Sequence, residues 1–132
     1  MEELKQLTKD DLSEMKVMTN PPEVVRLVAH GVCILLNIKP KKVKHKDGTS
    51  SLDYWAASTT KKFLADFNVL KKMVGYPKEN ISADTIEKLE TIMAHDEFNV
   101  EAVTYACVAA RGMYFWLKAM RQYHYVWQTV KP

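Results

Sequence analysis

The stretch NVEAVTYACVAARGMYFWLKAMRQYHYVWQTVKP (residues 99–132) decides how the rest of the chain is read. From Ala109 its apolar residues recur at alternating steps of four and three: Ala109, Met113, Trp116, Met120, Tyr123, Trp127 and Val130. That spacing is a heptad seam, one apolar stripe along a helix. No glycine or proline closes it at its far end before Pro132. A helix that still presents a seam at its last turn needs a partner helix. The other segment with helical spacing and an uncapped outer end is 1–19, where Leu4, Leu7, Leu12, Met15 and Met18 stand among Glu, Lys and Asp. The reading therefore sets the two chain ends side by side and antiparallel, as the root of a stalk. Asp11 falls near a seam position and marks an imperfection in the N-terminal strand.

Between the two ends the expected unit is a small helical head. Asn20-Pro21-Pro22-Glu23 stops one helix and starts the next, because proline bars the right-handed helical conformation at the residue before it. Asn20 serves as N-cap, Pro21 takes the first helical position and Glu23 the capping-box position. This helix is expected to run to about Asn37 and to bury Val24, Leu27, Val28, Gly31, Ile34 and Leu35. Arg26 and His30 lie four apart on another of its faces. Lys39 to Ser51 reads as a polar loop with Pro40 and Asp47-Gly48. Asp53 caps a helix running from Tyr54 through Phe63. Phe67, Leu70, Met73 and Val74 continue the apolar pattern until Gly75-Tyr76-Pro77. Ser82 caps a helix with Ile86, Leu89 and Met93 inward. His95-Asp96-Glu97 links it to Asn99, which caps the final long helix. No stretch alternates with period two for long enough to read as a strand. The expected fold class is all-α.

Composition bounds the function. The chain has 132 residues, one domain's worth, with 47% hydrophobic and 27% charged residues, as in ordinary globules. Its formal net charge of +3 is too mild to argue for nucleic acid by itself. Local density is higher, since Lys39, Lys41, Lys42, Lys44 and Lys46 crowd together with His45. Cys33 and Cys107 sit singly in apolar helical stretches and read as buried thiols of a reducing compartment. No charged-then-apolar leader opens the chain, and the apolar run Leu27–Ile38 is too short to span a bilayer. The expectation is an intracellular, soluble fragment of a longer chain.

Catalytic chemistry has no footing in the pattern. His30, His45, His95 and His124 have no ligand spacing, and there is no Cys-x-x-Cys. Residues 46–51 lack the glycine and lysine framework of a phosphate loop. No cofactor is expected, and the chain reads as a binding module. Its cations point to an anionic partner, although a lysine-rich loop is also the ordinary form of a solvated linker. Arg26 stands in the first turns of its helix, where a cation opposes the macrodipole, which favours a contact role over a structural one. Trp55, Trp116 and Trp127 have the spacing of core or seam residues.

The order of these pieces resembles the microtubule-binding domain at the tip of the dynein heavy chain stalk. The matching pieces are Met18-Thr19-Asn20-Pro21-Pro22, Val32-Cys33-Ile34-Leu35-Leu36, Asp53-Tyr54-Trp55, Lys78-Glu79-Asn80-Ile81, and the run Ala106 to Val130 with Trp116, Ala119-Met120 and Tyr123. Lys39-Pro40 and Asp53-Tyr54-Trp55 look more like the axonemal branch than the cytoplasmic one. The resemblance implies a six-helix head on a short antiparallel coiled coil, in one domain over 1–132. Residues 1–19 would be the N-terminal stalk strand, 20–112 the head and 113–132 the C-terminal strand.

The resemblance further implies binding to α/β-tubulin by a monomer with an intramolecular coiled coil, in the cytoskeleton of a cilium axoneme, without nucleic acid or membrane. The implied contact residues are Arg26, Lys39, Lys41, Lys71, Lys72, Glu101 and Tyr105, the last at a position that is often basic in the family. Pro21, Pro22, Trp116, Met120, Tyr123 and Trp127 would carry a register signal from a distant ATP-driven ring, with a junction near Gly112. The fragment itself holds no nucleotide site. The alternative is a helical adaptor or nucleic-acid-binding bundle using Lys39–Lys46. That run lacks the interleaved aromatics expected for single strands.

Overall fold

The computed structural model describes residues 7–18, 21–58, 64, 68–77 and 81–130, without the side chains of Gln128 and Val130. Among them are seven helices and one hairpin. In chain order these are α1 (Lys9–Lys16), α2 (Glu23–Leu35), β1 (Lys41–Lys44), β2 (Ser50–Asp53), α3 (Tyr54–Ser58), α4 (Val69–Val74), α5 (Ala83–Met93), α6 (Val100–Ala106) and α7 (Val108–Val130).

The hairpin overturns the all-α expectation. β1 and β2 pair antiparallel, with Lys41 opposite Asp53, Lys42 opposite Leu52, Val43 opposite Ser51 and Lys44 opposite Ser50. The turn forms because Gly48 takes φ 89, open to a residue without Cβ. The Asp47 carboxylate then accepts from the Thr49 N–H at 3.0 Å and its hydroxyl at 2.6 Å. Periodicity hides such a ribbon. Each strand has four residues, and most stay exposed on both faces, so no apolar alternation marks it.

At the N-terminal end, α1 begins with a capping box. Asp11 N–H donates to Thr8 Oγ1 at 3.2 Å, and Thr8 N–H donates to Asp11 Oδ2 at 2.9 Å. Asp11, expected as a flaw in a seam, is thus the cap partner that starts this helix at Lys9. Leu12 and Met15 are fully buried, and α1 packs on α7. The expected strand residues 1–6 and Thr19 lie outside the described residues.

The central helix of the head is α2. It packs against α3, α5, α6 and α7, so it is apolar almost all round rather than along one stripe. It begins at Glu23, two residues later than expected. Pro22 is the N-cap and makes no side-chain cap bond, while Asn20, the expected cap, lies outside the described residues. Its far end comes at Leu35, two residues before the expected Asn37. Asn37 takes the left-handed conformation at φ 59, and Ile38 N–H returns to Cys33 O at 2.8 Å, closing the last turn. At Gly31 an added Cβ would lie 2.8 Å from Leu117 Cδ1, so its absence sets how closely α7 approaches.

Three expected caps are present. Asp53 Oδ1 accepts from Trp55 and Ala56 N–H, Ser82 Oγ from Thr85 N–H, and Asn99 Oδ1 from Ala102 N–H at 2.8 Å. The helix that Asp53 opens is described only to Ser58; Phe63 and Phe67 lie outside the described residues. The helix that Asn99 opens is not the expected continuous one. It stops at Ala106, Cys107 is extended at φ −171 and ψ 135, and α7 starts afresh at Val108. No glycine or proline signals this break. Val103, Thr104, Tyr105, Cys107 and Val108 are all middling helix formers, so packing rather than propensity decides the path.

The core is one cluster with Trp116, Leu12, Met15, Leu64, Met73, Leu89, Met113 and Leu117 at its centre. Burying each such aliphatic side chain is worth about 1.5–3 kcal/mol. Along the seam, Ala109, Met113, Trp116 and Met120 are buried and Tyr123 and Trp127 are half-buried. Helix α7 therefore emerges from the head just past Met120.

Candidate binding surface

Arg26 lies on α2, half-buried, with its Nε donating to the Pro21 carbonyl at 3.4 Å. That bond ties the cation back to the proline turn. The buried Pro21 and the N-cap Pro22 thus set both the start of α2 and the posture of Arg26. Arg26 also lines a cleft of about 270 Å³ with Glu23, His30, Asp53, Tyr54 and Trp55. His30 stacks on Tyr54, ring centroids 4.1 Å apart, and burial lowers its basicity. Sequence reading set His30 on a face with Arg26 but could not see its aromatic partner, which arrives from across the hairpin.

The hairpin carries the lysine cluster. Lys39 precedes β1 and Lys41 lies on it, both exposed, with Lys41 opposite Asp53. Lys71 and Lys72 are exposed on α4. Helix α6 shows Glu101 in its first turn and Tyr105 in its last, and Tyr105 is 94% exposed. Lys61 and Lys62 lie outside the described residues. The exposed contact candidates therefore ride on three separate pieces, the hairpin, α4 and α6, with Arg26 on the central helix.

The expected coupling residues are placed differently from one another. Trp116 is fully buried in the head, where its indole N–H donates to the Met73 carbonyl at 3.0 Å and its ring meets Tyr76 edge-on at 5.5 Å. Met120 is buried one turn further on. Tyr123 and Trp127 stack on each other at 6.5 Å along the emerging helix. Two contacts were not anticipated. Arg111 Nε donates to Thr104 Oγ1 at 3.3 Å, bridging the break at Cys107. Glu90 on α5 accepts from Arg121 Nε at 3.2 Å and from the Tyr125 hydroxyl, so α5 grips α7 beyond the core. Neither had a local signal, since each pair joins separate helices.

Burial pushes the Cys33 thiol up to about 11 and raises that of Cys107, which makes both poor nucleophiles. Among the described residues no group of three or more His, Cys, Asp or Glu could hold a metal, and no helix is long and apolar enough to cross a membrane.

A head of short helices around one central helix, with a long helix leaving it and cations on its exposed elements, is the arrangement of a stalk tip. The chain belongs to the family of microtubule-binding stalks of dynein motors, whose family model matches residues 1–132. It is 34% identical over 131 residues to mouse dynein axonemal heavy chain 1, and 33% identical over 129 residues to human dynein axonemal heavy chain 3. The dynein-1-beta heavy chain of the flagellar inner arm I1 complex of Chlamydomonas reinhardtii is 30% identical over 126 residues. These alignments cover 98%, 96% and 96% of this chain but only 3%, 3% and 2% of the relatives' length. The solved microtubule-binding domain of dynein-c superposes with a TM-score of 0.83 at 32% identity, covering 99% of this chain and 84% of that one.

Proposed function

We propose that this chain binds α/β-tubulin in microtubules as the non-catalytic stalk tip of an axonemal dynein, within the cytoskeleton of a cilium or flagellum. One observation carries the reading: the family match runs the whole chain, residues 1–132. The head binds as a monomer through Arg26, Lys39, Lys41, Lys71, Lys72 and Glu101, with Tyr105 giving an aromatic in place of a cation. Exposed lysines and arginines facing an acidic lattice steer encounter and make affinity fall with salt. Pro21 and Pro22 at one end of α2, and Trp116, Met120, Tyr123 and Trp127 along α7, link the head to the stalk. A change of stalk register, driven elsewhere in the motor, then changes affinity; two arrangements biased from both ends are what such coupling requires.

The test is co-sedimentation with microtubules across a salt series. The chain should pellet at low salt and progressively less as salt rises. Failure to pellet at low salt, with the stalk fixed in either register, overturns the reading. Arg26→Glu should weaken binding about tenfold while leaving the helical circular-dichroism signal intact. An unchanged affinity removes Arg26 from the surface.

A further inference from the structure

A cleft of about 330 Å³ opens between α5 and α7, and none of the proposed tubulin contacts lines it. Helix α5 ends at Met93, and its cap Ala94 leads into a tight turn in which Phe98 N–H donates to the His95 carbonyl at 3.0 Å. That turn lays the Phe98 ring against Tyr114 of α7, with centroids 4.7 Å apart. Phe98 and Tyr114 are buried, and with Met93 they give the cleft an apolar, aromatic wall.

The rim above this wall is cationic. Tyr114, Lys118, Arg121 and Tyr125 recur at steps of four, three and four, so they stand in one row along α7 beside the seam. Glu90 meets that row from α5, where it accepts from Arg121 Nε and from the Tyr125 hydroxyl. The charge of Glu90 is thus answered by Arg121. Lys118 is exposed, its ammonium lies 5.5 Å from the centre of the Tyr114 ring, and it has no ion pair among the described residues. The cleft therefore carries one uncompensated positive charge beside an aromatic wall. The Tyr114 hydroxyl also has no hydrogen-bond partner among the described residues and is not sealed from solvent. A bare inorganic anion would use the cations and leave the wall wet. An uncharged aromatic would use the wall and leave Lys118 unanswered. A flat ring bearing one carboxylate uses both, and the cleft has the volume of a small-molecule site.

We infer that this cleft binds a small aromatic carboxylate, free or at the end of a peptide, with its ring against Phe98, Tyr114 and Met93 and its carboxylate at Lys118 and Arg121. The inference stands apart from the microtubule reading. The occupant bridges α5 and α7 next to the Glu90 contact, and so tightens the exit of the long helix from the head.

The experiment titrates the 132-residue chain with naphthoate and follows its backbone amides by two-dimensional NMR. Saturable shifts should gather at the end of α5, at Phe98 and along 114–121 of α7, with a Kd of about 1 mM for a ligand of this size. Neutral naphthamide, of the same shape, should bind about tenfold more weakly. Lys118→Gln should weaken naphthoate about three- to fivefold. Lys118 is exposed, and the variant's own spectrum verifies that the head still folds. Equal binding of naphthamide and naphthoate, an unchanged Kd in Lys118→Gln, shifts spread over other lysines, or no saturable shift overturns the inference. These readouts hold whether or not the chain pellets with microtubules. The dipeptide glycyl-tryptophan separates the two sources: binding as tight as that of naphthoate assigns the cleft to an aromatic chain terminus, and much weaker binding assigns it to a free aromatic acid.

Discussion

Trp116 shows how much one residue settles. Its place in a four-three pattern marks it as inward, and it is fully buried. What the pattern does not disclose is the acceptor, the Met73 carbonyl at the end of α4. Through that bond the long helix holds a short one that has six residues and too few turns to persist alone. Trp116→Phe keeps most of the apolar bulk but removes one of the bonds to the Met73 carbonyl, which still accepts from the Tyr76 N–H at 3.3 Å, and opens a gap. The expected loss is about 1–2 kcal/mol in urea unfolding, with α4 amides exchanging faster. An unchanged midpoint would show that the indole N–H contributes nothing. Tyr105 is the opposite case. At 94% exposure it makes no packing argument for itself, so its meaning depends on what the chain binds.

At the scale of elements, the parts legible in the sequence are those set by neighbouring residues. Asp53, Ser82 and Asn99 were each readable as caps, because a cap needs only a short polar side chain and an N–H two or three residues on. Asn99→Ala should cost about 1 kcal/mol and raise amide exchange selectively in α6, the helix carrying Glu101 and Tyr105. Uniform exchange across the head would contradict a local cap. The hairpin was not legible for the converse reason. Its pairing is held by backbone bonds and by one glycine turn, and its faces are not divided into apolar and polar. The break at Cys107 was hidden because nothing local demands it. Of the candidate surface, residue types and their clustering were visible, but not that the lysine run is a two-stranded ribbon.

Across the whole molecule, the described contacts join the emerging helix to the head at two heights: the core up to Met120, and Glu90 holding Arg121 and Tyr125 beyond it. The Tyr125 hydroxyl and, less strongly, Arg121 keep the Glu90 carboxyl below its usual range. A carboxylate held down in the fold adds stability above its unfolded pKa of about 4.3, and that stability is lost as pH falls through the lower folded value. Glu90→Gln should therefore be less stable than the unmodified chain at pH 7, and the difference should close below about pH 4. Urea midpoints at both pH values measure it; a gap that persists in acid would mean the carboxylate charge is not what holds the helix.

The extended residue at Cys107 makes the last third of the chain a jointed rod. A continuous helix passes an axial push straight along its length. A joint turns the push into a swing, with the Arg111–Thr104 bond acting as a stay that limits it. Helix α6 has seven residues, so it is about 10 Å long. A tilt of about 10° at the joint would carry its far end, next to Glu101, through about 2 Å. Small travel in the stalk would in this way reach the exposed face of α6 as a change of angle, with Cys107 as the pivot and α6 as the lever.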